Sequence, residues 1–254
     1  MAYQVGPALK STATAVNAAL YAGVGLLTYL GVFAPIVGVV RFWGVAVVVP
    51  AVFAAIFGPL VGGIGAAIGI FITDLLIHGD ALLSLTVGVP ANFIMFALIG
   101  LLSNRRLNPK IWVASAAIIA SILYILTWIV GGGGVGASAL IVVAALTVVV
   151  LLIFQRWREV TSFTVSTVLG NALGSLIVGF GVWGYSQFFA LPMTMGKGLP
   201  VVAALTWFTW TFSNQMPFLL ILAPPIVKAA WRTLRGFAAA ERIIEAEAVP
   251  YGQP

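Results

Sequence analysis

Charge is scarce in this chain. Lys, Arg, Asp and Glu make up 7% of its 254 residues, against about 25% in soluble globular domains. A water-soluble fold of this length could not cover its surface with so few charges. With 62% of residues hydrophobic, the bilayer is the solvent the composition calls for. Cysteine is absent, which removes disulfides, thiolate metal sites and cysteine nucleophiles. A single histidine leaves no imidazole pair for a metal. The patterns HExxH, GxSxG and GxxxxGK[ST] are missing, so neither hydrolase chemistry nor a nucleotide-driven motor of the chain's own is expected. No basic patch interleaves with aromatics as nucleic-acid binding would require. The alternating ten-residue segments of an outer-membrane barrel do not occur. The expectation is a protein that is not an enzyme, carries no cofactor and has no nucleic-acid partner.

What is present is apolar sequence in long runs. Eight segments, at about 13–33, 39–57, 60–78, 82–102, 111–130, 137–155, 161–189 and 200–225, read as membrane-spanning helices, because backbone polar groups in lipid must be satisfied within the segment. The first is read as a retained helix, not a cleaved signal. Gly58-Pro59 divides the second from the third, and Gly131 to Gly134 the fifth from the sixth. The seventh is long enough to tilt, or to break near Gly179 to Gly184.

The cations orient this arrangement. With the N-terminus inside, the inner connections hold Lys10, Arg105, Arg106, Lys110, Arg156, Arg158, Lys228, Arg232, Arg235 and Arg242, and the outer ones only Arg41 and Lys197. Ten against two is the bias that places cationic loops in the cytoplasm. The expected architecture is all-α: a polytopic bundle of about eight helices in the cell membrane, N-in and C-in. It comprises one transmembrane domain over 1–227 and a cytoplasmic tail over 228–254.

Against this apolar background a few residues stand out. Asp74, near the outer end of the third segment, lies about 21 Å from its start at 1.5 Å per residue. His78 follows four residues later on the same face. An ionisable group at that depth is costly and marks a candidate site, although a structural pairing of Asp74 with Arg41 or His78 accounts for it as well. Asp80 reads as a solvated loop residue. Arg41 either snorkels to the headgroups or faces the same outer cavity as Asp74. Trp43 is a belt residue or a stacking group for a ring. Asn92, ten residues into the fourth segment, is placed to line the floor of an outer pocket. Asn171, Asn214 and Gln215 read first as helix–helix hydrogen bonds. The candidate ligand-binding set is therefore Arg41, Trp43, Asp74, His78 and Asn92. The aromatics of segment eight (Trp207, Phe208, Trp210 and Phe212) read as belt and core.

Small residues recur four apart: Gly58 and Gly62, Gly65 and Gly69, Ala15 and Ala19, Ala18 and Ala22. Such pairs let helix backbones approach closely. Those of the third segment are expected to pack internally. Those of the first either pack internally or receive a helix of another protein.

The run VRFWGVAVVVPAVFAAIFGPLVGGIGAAIGIFITDLL (40–76), followed by SLTVGVPANFIMFALIGLL (84–102), resembles the substrate-binding S components of energy-coupling factor vitamin transporters. LGNALGSL and LAPPIVKAAW are similar, more loosely, to that family's last two helices. The resemblance implies a vitamin-like ligand held in a pocket open to the outside. It also implies a transmembrane coupling subunit and cytoplasmic ATPases as partners, the coupling subunit meeting Ala15, Ala18, Ala19 and Ala22 on the first helix. The family has six helices where eight are counted here, which makes one hairpin, the fifth and sixth segments, an insertion in a six-helix core. Two other functions fit the same residues: a stand-alone proton-coupled carrier with Asp74 and His78 as its relay, and a structural membrane protein without a ligand.

Overall fold

The structure, a computed structural model, describes residues 6–30, 43–103, 105, 158–192 and 196–234. Among these, every regular element is helical, and the one β feature is an isolated bridge between Leu191 and Gly196. Helix α1 spans Pro7–Tyr29. A 3-10 turn at Trp43–Val45 leads into the short α2, Val48–Phe57. Helix α3 is Pro59–Ile77 and α4 is Ala81–Ser103. Helix α5 is Arg158–Phe188, and α6, Val202–Ile221, continues into α7, Ala223–Leu234, across a 41° bend. Among the described residues, three helices (α3, α4 and α5) are long and apolar enough to cross a bilayer, and α6 with α7 makes a fourth if the bent pair is one span. Helix α1 has 23 residues, but Thr12, Thr14 and Asn17 dilute its apolarity. The fifth and sixth predicted segments lie outside the described residues.

Prolines account for the interruptions. Pro7 and Pro59 open α1 and α3, where the missing N–H would have had no helical partner. Gly58, at φ 100°, makes the turn between α2 and α3 in a conformation that side chains resist. Pro90 removes a donor within α4, and its ring would press on the carbonyl four residues back. The preceding turn widens into a π-helix over Ser84–Gly88, with the Val89 N–H reaching the Ser84 carbonyl. Pro217 lies inside α6, and Pro224 and Pro225 follow the bend. Helix α5, in contrast, runs through Gly179 to Gly184 without a break.

Glycine contacts fix the order and direction of the helices. An added Cβ on Gly65 would meet the Asn17 side chain, and one on Gly69 would meet the Ala18 carbonyl and Tyr21, so α1 and α3 run side by side in parallel. Gly63 faces Phe93, and Gly100 faces Pro59, so α3 and α4 are antiparallel. Gly170 faces Ile99 and Met95 while Gly174 faces Met95 and Ala91, and Gly179 faces Ala204 and Phe208 while Asn171 reaches the Phe212 carbonyl, which makes α4–α5 and α5–α6 antiparallel too. The 3-10 turn closes the circuit: Gly44 abuts Asn214 and Phe218. The third segment's glycines thus pack within the bundle, as their spacing suggests. Ser103 and Ser166 hydroxyls lie 3.0 Å apart, so α4 ends and α5 begins at the same end of the bundle. The chain between them leaves and returns on one side.

That end gathers Lys10, Arg105, Lys228 and Arg232 with the start of α5 at Arg158. The opposite end holds Asp74, His78, Asp80 and Lys197. Helix α2 lies inside the circuit toward the basic end. Its Ala51, Ala54 and Ala55 are fully buried, and they pack with Phe96, Ile99, Phe163, Leu219, Ala223 and Val227 into the main core. With only ten residues, α2 spans about 15 Å at 1.5 Å per residue. It fills one half of the bundle's length and leaves the other half to the candidate site.

Candidate functional site

In that second half, the described residues enclose a cavity of about 360 Å³, within the roughly 300–1,000 Å³ of small-molecule pockets. Helix direction orders its lining by depth. Tyr21, Ile70, Asn92, Asn214 and Gln215 form the floor above α2. Asp74, Gly88, Val178, Trp207, Trp210 and Thr211 form the walls, and Tyr29, Ile77, His78, Leu83, Val182, Leu191 and Pro192 surround the mouth.

Asp74 stands where the π-turn of α4 meets α3. Its Oδ2 accepts a hydrogen bond from the Ser84 hydroxyl at 2.6 Å, and its Oδ1 lies 3.6 Å from His78 Nε2. Gly88 belongs to this arrangement as well, because a Cβ there would sit 2.6 Å from Asp74 Oδ2. The widened turn therefore does two things: it aims Ser84 at the carboxylate and removes bulk beside it. π-turns of this kind recur at functional sites.

His78 caps α3. Its Nδ1 accepts the Asp80 N–H at 3.1 Å, which leaves Nε2 to carry the proton toward Asp74 in the neutral ring. The Asp74 carboxylate, 3.6 Å from Nε2, raises the imidazole above its ordinary value of 6.5, against an opposing effect of burial, and Asp80 adds a smaller push. Protonation would exchange the Asp80 N–H contact for a full ion pair with Asp74.

Asp80 differs from the solvated loop residue expected of it. It is the N-cap of α4, with Oδ1 accepting the Leu83 N–H at 2.9 Å, and its Oδ2 accepts the Tyr185 hydroxyl of α5 at 2.9 Å. The residue thus pins α4 to α5 at the mouth. Only the tertiary structure supplies the second bond, since Tyr185 is 105 residues away.

The floor is polar and mostly satisfied. Tyr21, buried and edge-on to Phe96, donates its hydroxyl to Asn92 Oδ1 at 2.8 Å, while Asn92 Nδ2 reaches the Gly88 carbonyl at 2.9 Å. Asn92 lines the floor, as its position in the fourth segment implies. Asn214 accepts the Gly44 N–H at 3.2 Å, so this amide joins α6 to the 3-10 turn and faces the cavity, a role beyond a plain helix–helix bond. Asn171 does make such a bond, to the Phe212 carbonyl at 3.1 Å. Gln215 is 8% exposed and its Oε1 has no partner among the described residues.

Of the sequence candidates, Asp74, His78 and Asn92 come together on one cavity. Trp43 begins the 3-10 turn, its side chain falling outside the described part, and Arg41 lies outside the described residues. The segment-eight aromatics divide: Phe208 and Phe212 stack in a second core cluster at 5.7 Å, and Trp207 and Trp210 line the cavity. On α1, Ala18 is buried, its carbonyl facing Gly69, which is the internal one of the two packings its spacing allows. Ala15 and Ala19 are exposed and Ala22 is half-buried.

No family model matches the chain, and neither a curated protein nor a solved structure matches it.

Proposed function

We propose that this chain is a membrane-embedded substrate-binding subunit that captures a small molecule at the cavity mouth, as an S component of an energy-coupling factor uptake transporter does. The observation that carries the reading is the cavity itself: a polar-floored, aromatic-walled space of about 360 Å³ above a half-length helix, with Asp74 on its wall. Its mouth lies at the end opposite Lys10, Arg105, Lys228 and Arg232, which by the positive-inside bias is the external face of the cell membrane. On this reading the described helices belong to a six-helix core, and the two apolar segments expected at 111–130 and 137–155, outside the described residues, are its insertion. Delivery inward would then fall to a transmembrane coupling subunit and its ATPases, with exposed Ala15 and Ala19 on α1 as the contact surface. A vitamin-like compound retained through purification, identified by mass spectrometry and lost in Asp74→Asn, is the expected result. Absence of any retained compound, together with no saturable binding across vitamins and their precursors, would overturn the reading.

The Asp74–His78 pair at 3.6 Å favours one competing function, a stand-alone proton-coupled carrier. Purified chain in liposomes would then transport under a pH gradient without added subunits. Strict dependence on ATPase subunits rules that function out.

A further inference from the structure

The cavity's hydrogen-bonding inventory goes beyond its existence and speaks to the charge of what it holds; the inference rests on the cavity being a ligand site. Asp74 Oδ2 is taken by Ser84. Its Oδ1 has His78 Nε2 at 3.6 Å, beyond ordinary hydrogen-bond reach, so one carboxylate oxygen is open to a donor. His78 is engaged on its other side, where Nδ1 accepts the Asp80 N–H. On the floor, Asn214 spends its oxygen on Gly44 and Asn92 spends its oxygen on Tyr21. Gln215, more than nine-tenths buried, retains an oxygen without a partner among the described residues. A buried acceptor left unpaired costs stability, and a ligand N–H would satisfy it. In the walls stand Trp207 and Trp210, whose ring faces attract cations and planar rings.

We infer that the cavity takes a planar compound bearing a protonated nitrogen, an amino- or amidino-substituted ring, with its charged N–H group on Asp74 Oδ1 and a further donor on Gln215 Oε1. A carboxylate or phosphate in the same place would face Asp74 across a poorly screened space, where like charges repel strongly.

Three probes of one shape decide the matter: 2-naphthamidine, 2-naphthamide and 2-naphthoate, carrying charges of +1, 0 and −1. Each is titrated calorimetrically into the full chain in nanodiscs, with empty nanodiscs subtracting partition into lipid. The amidinium binds tightest, the amide about tenfold weaker, the difference between a charge-assisted and a neutral hydrogen bond, and the naphthoate, which offers Asp74 no donor, weakest. Asp74→Asn, whose oxygen can still accept from Ser84, lowers amidinium affinity by about tenfold and leaves the amide within about twofold. Gln215→Leu weakens both. Naphthoate binding as tightly as the amidinium, or an Asp74→Asn change equal on all three probes, overturns the charge assignment and leaves the cavity's function standing. If no probe binds and no compound is retained through purification, the cavity reading falls and this inference falls with it. Should Asp74→Asn fail to fold, the ranking of the three probes on the unaltered chain decides alone.

Discussion

Gly65→Ala tests the close approach of α1 and α3 at its tightest point. An added Cβ at Gly65 would overlap Asn17 Nδ2 and come within 2.7 Å of its Cγ and 2.8 Å of its Cβ. All three of the nearest atoms belong to one side chain. That side chain is fully buried and donates to the Val61 carbonyl at 3.0 Å and the Gly62 carbonyl at 3.4 Å. Its Oδ1 already lacks a partner among the described residues. Displacing Asn17 therefore combines overpacking, about 1–3 kcal/mol, with loss of one good hydrogen bond and one marginal one, about 1–2 kcal/mol together. Replacing glycine by alanine within a helix returns about 0.5–1 kcal/mol. The net cost is about 1–4.5 kcal/mol, centred near 3, which for a chain of this size lowers the unfolding midpoint by roughly 2–18 °C. Intrinsic fluorescence during heating in detergent would measure it. The decisive variant is the double one. Asn17→Gly removes all three obstructing atoms, so Gly65→Ala added to it should cost nearly nothing, a coupling of about 2 kcal/mol between the sites. Additivity of the two changes to within about 0.5 kcal/mol would refute the packing argument. Gly23→Ala, where an added Cβ meets nothing within 4 Å, should leave the midpoint unchanged or slightly higher.

The mouth and the termini of the helices offer further tests. Tyr185→Phe removes the hydroxyl that reaches Asp80 and should cost about 1 kcal/mol. Asp80→Ala also loses the α4 cap and should cost about 2 kcal/mol, with faster amide exchange at Leu83. Asp74 raises the His78 pKa above 6.5, so the stabilisation is fully present below pH 6.5 and is lost as pH rises through the higher folded-state value. Melting midpoints across pH 5.5–8.5 should decline over that window in the unaltered chain and stay flat in His78→Asn; a flat profile in both would exclude the pairing. Since the chain has no native cysteine, Ser103→Cys with Ser166→Cys should cross-link readily under mild oxidant, their hydroxyls being 3.0 Å apart. Failure to cross-link would mean that α4 ends and α5 begins at different ends of the bundle.

The sequence conveyed the helices well and the site unevenly, for physical reasons. Apolar length bounded α3 and α4 to within a residue or two, because lipid leaves a spanning backbone no alternative to the helix. Helix α2 was read as a longer span over 39–57; in its described part a 3-10 turn at Trp43–Val45 precedes the α-helix, which begins at Val48, since hydropathy alone does not show where an apolar run changes its helical form. Asp74 and Asn92 were legible because a polar residue in an apolar run advertises itself. Ser84 and Tyr185 were not, since a hydroxyl is common in membrane helices and only the π-turn and the α4–α5 contact give these two their meaning. Ala15 and Ala18 show the same limit. Their four-residue patterns are equally good, yet only the rotation of α1 against Gly69 decides that one faces inward and the other outward.

The half-length of α2 has an evolutionary consequence. The packed core and the cavity are stacked along the bundle axis instead of being interleaved within the same layer. The alanines of α2 and the rings beneath them secure the bundle at one end, and the cavity residues occupy the other. On the proposed function, a substitution at Thr211 or Val178 would change what is accepted without disturbing the alanine layer, and a lineage built on this plan could drift from one ligand to another while its scaffold stays under constant selection.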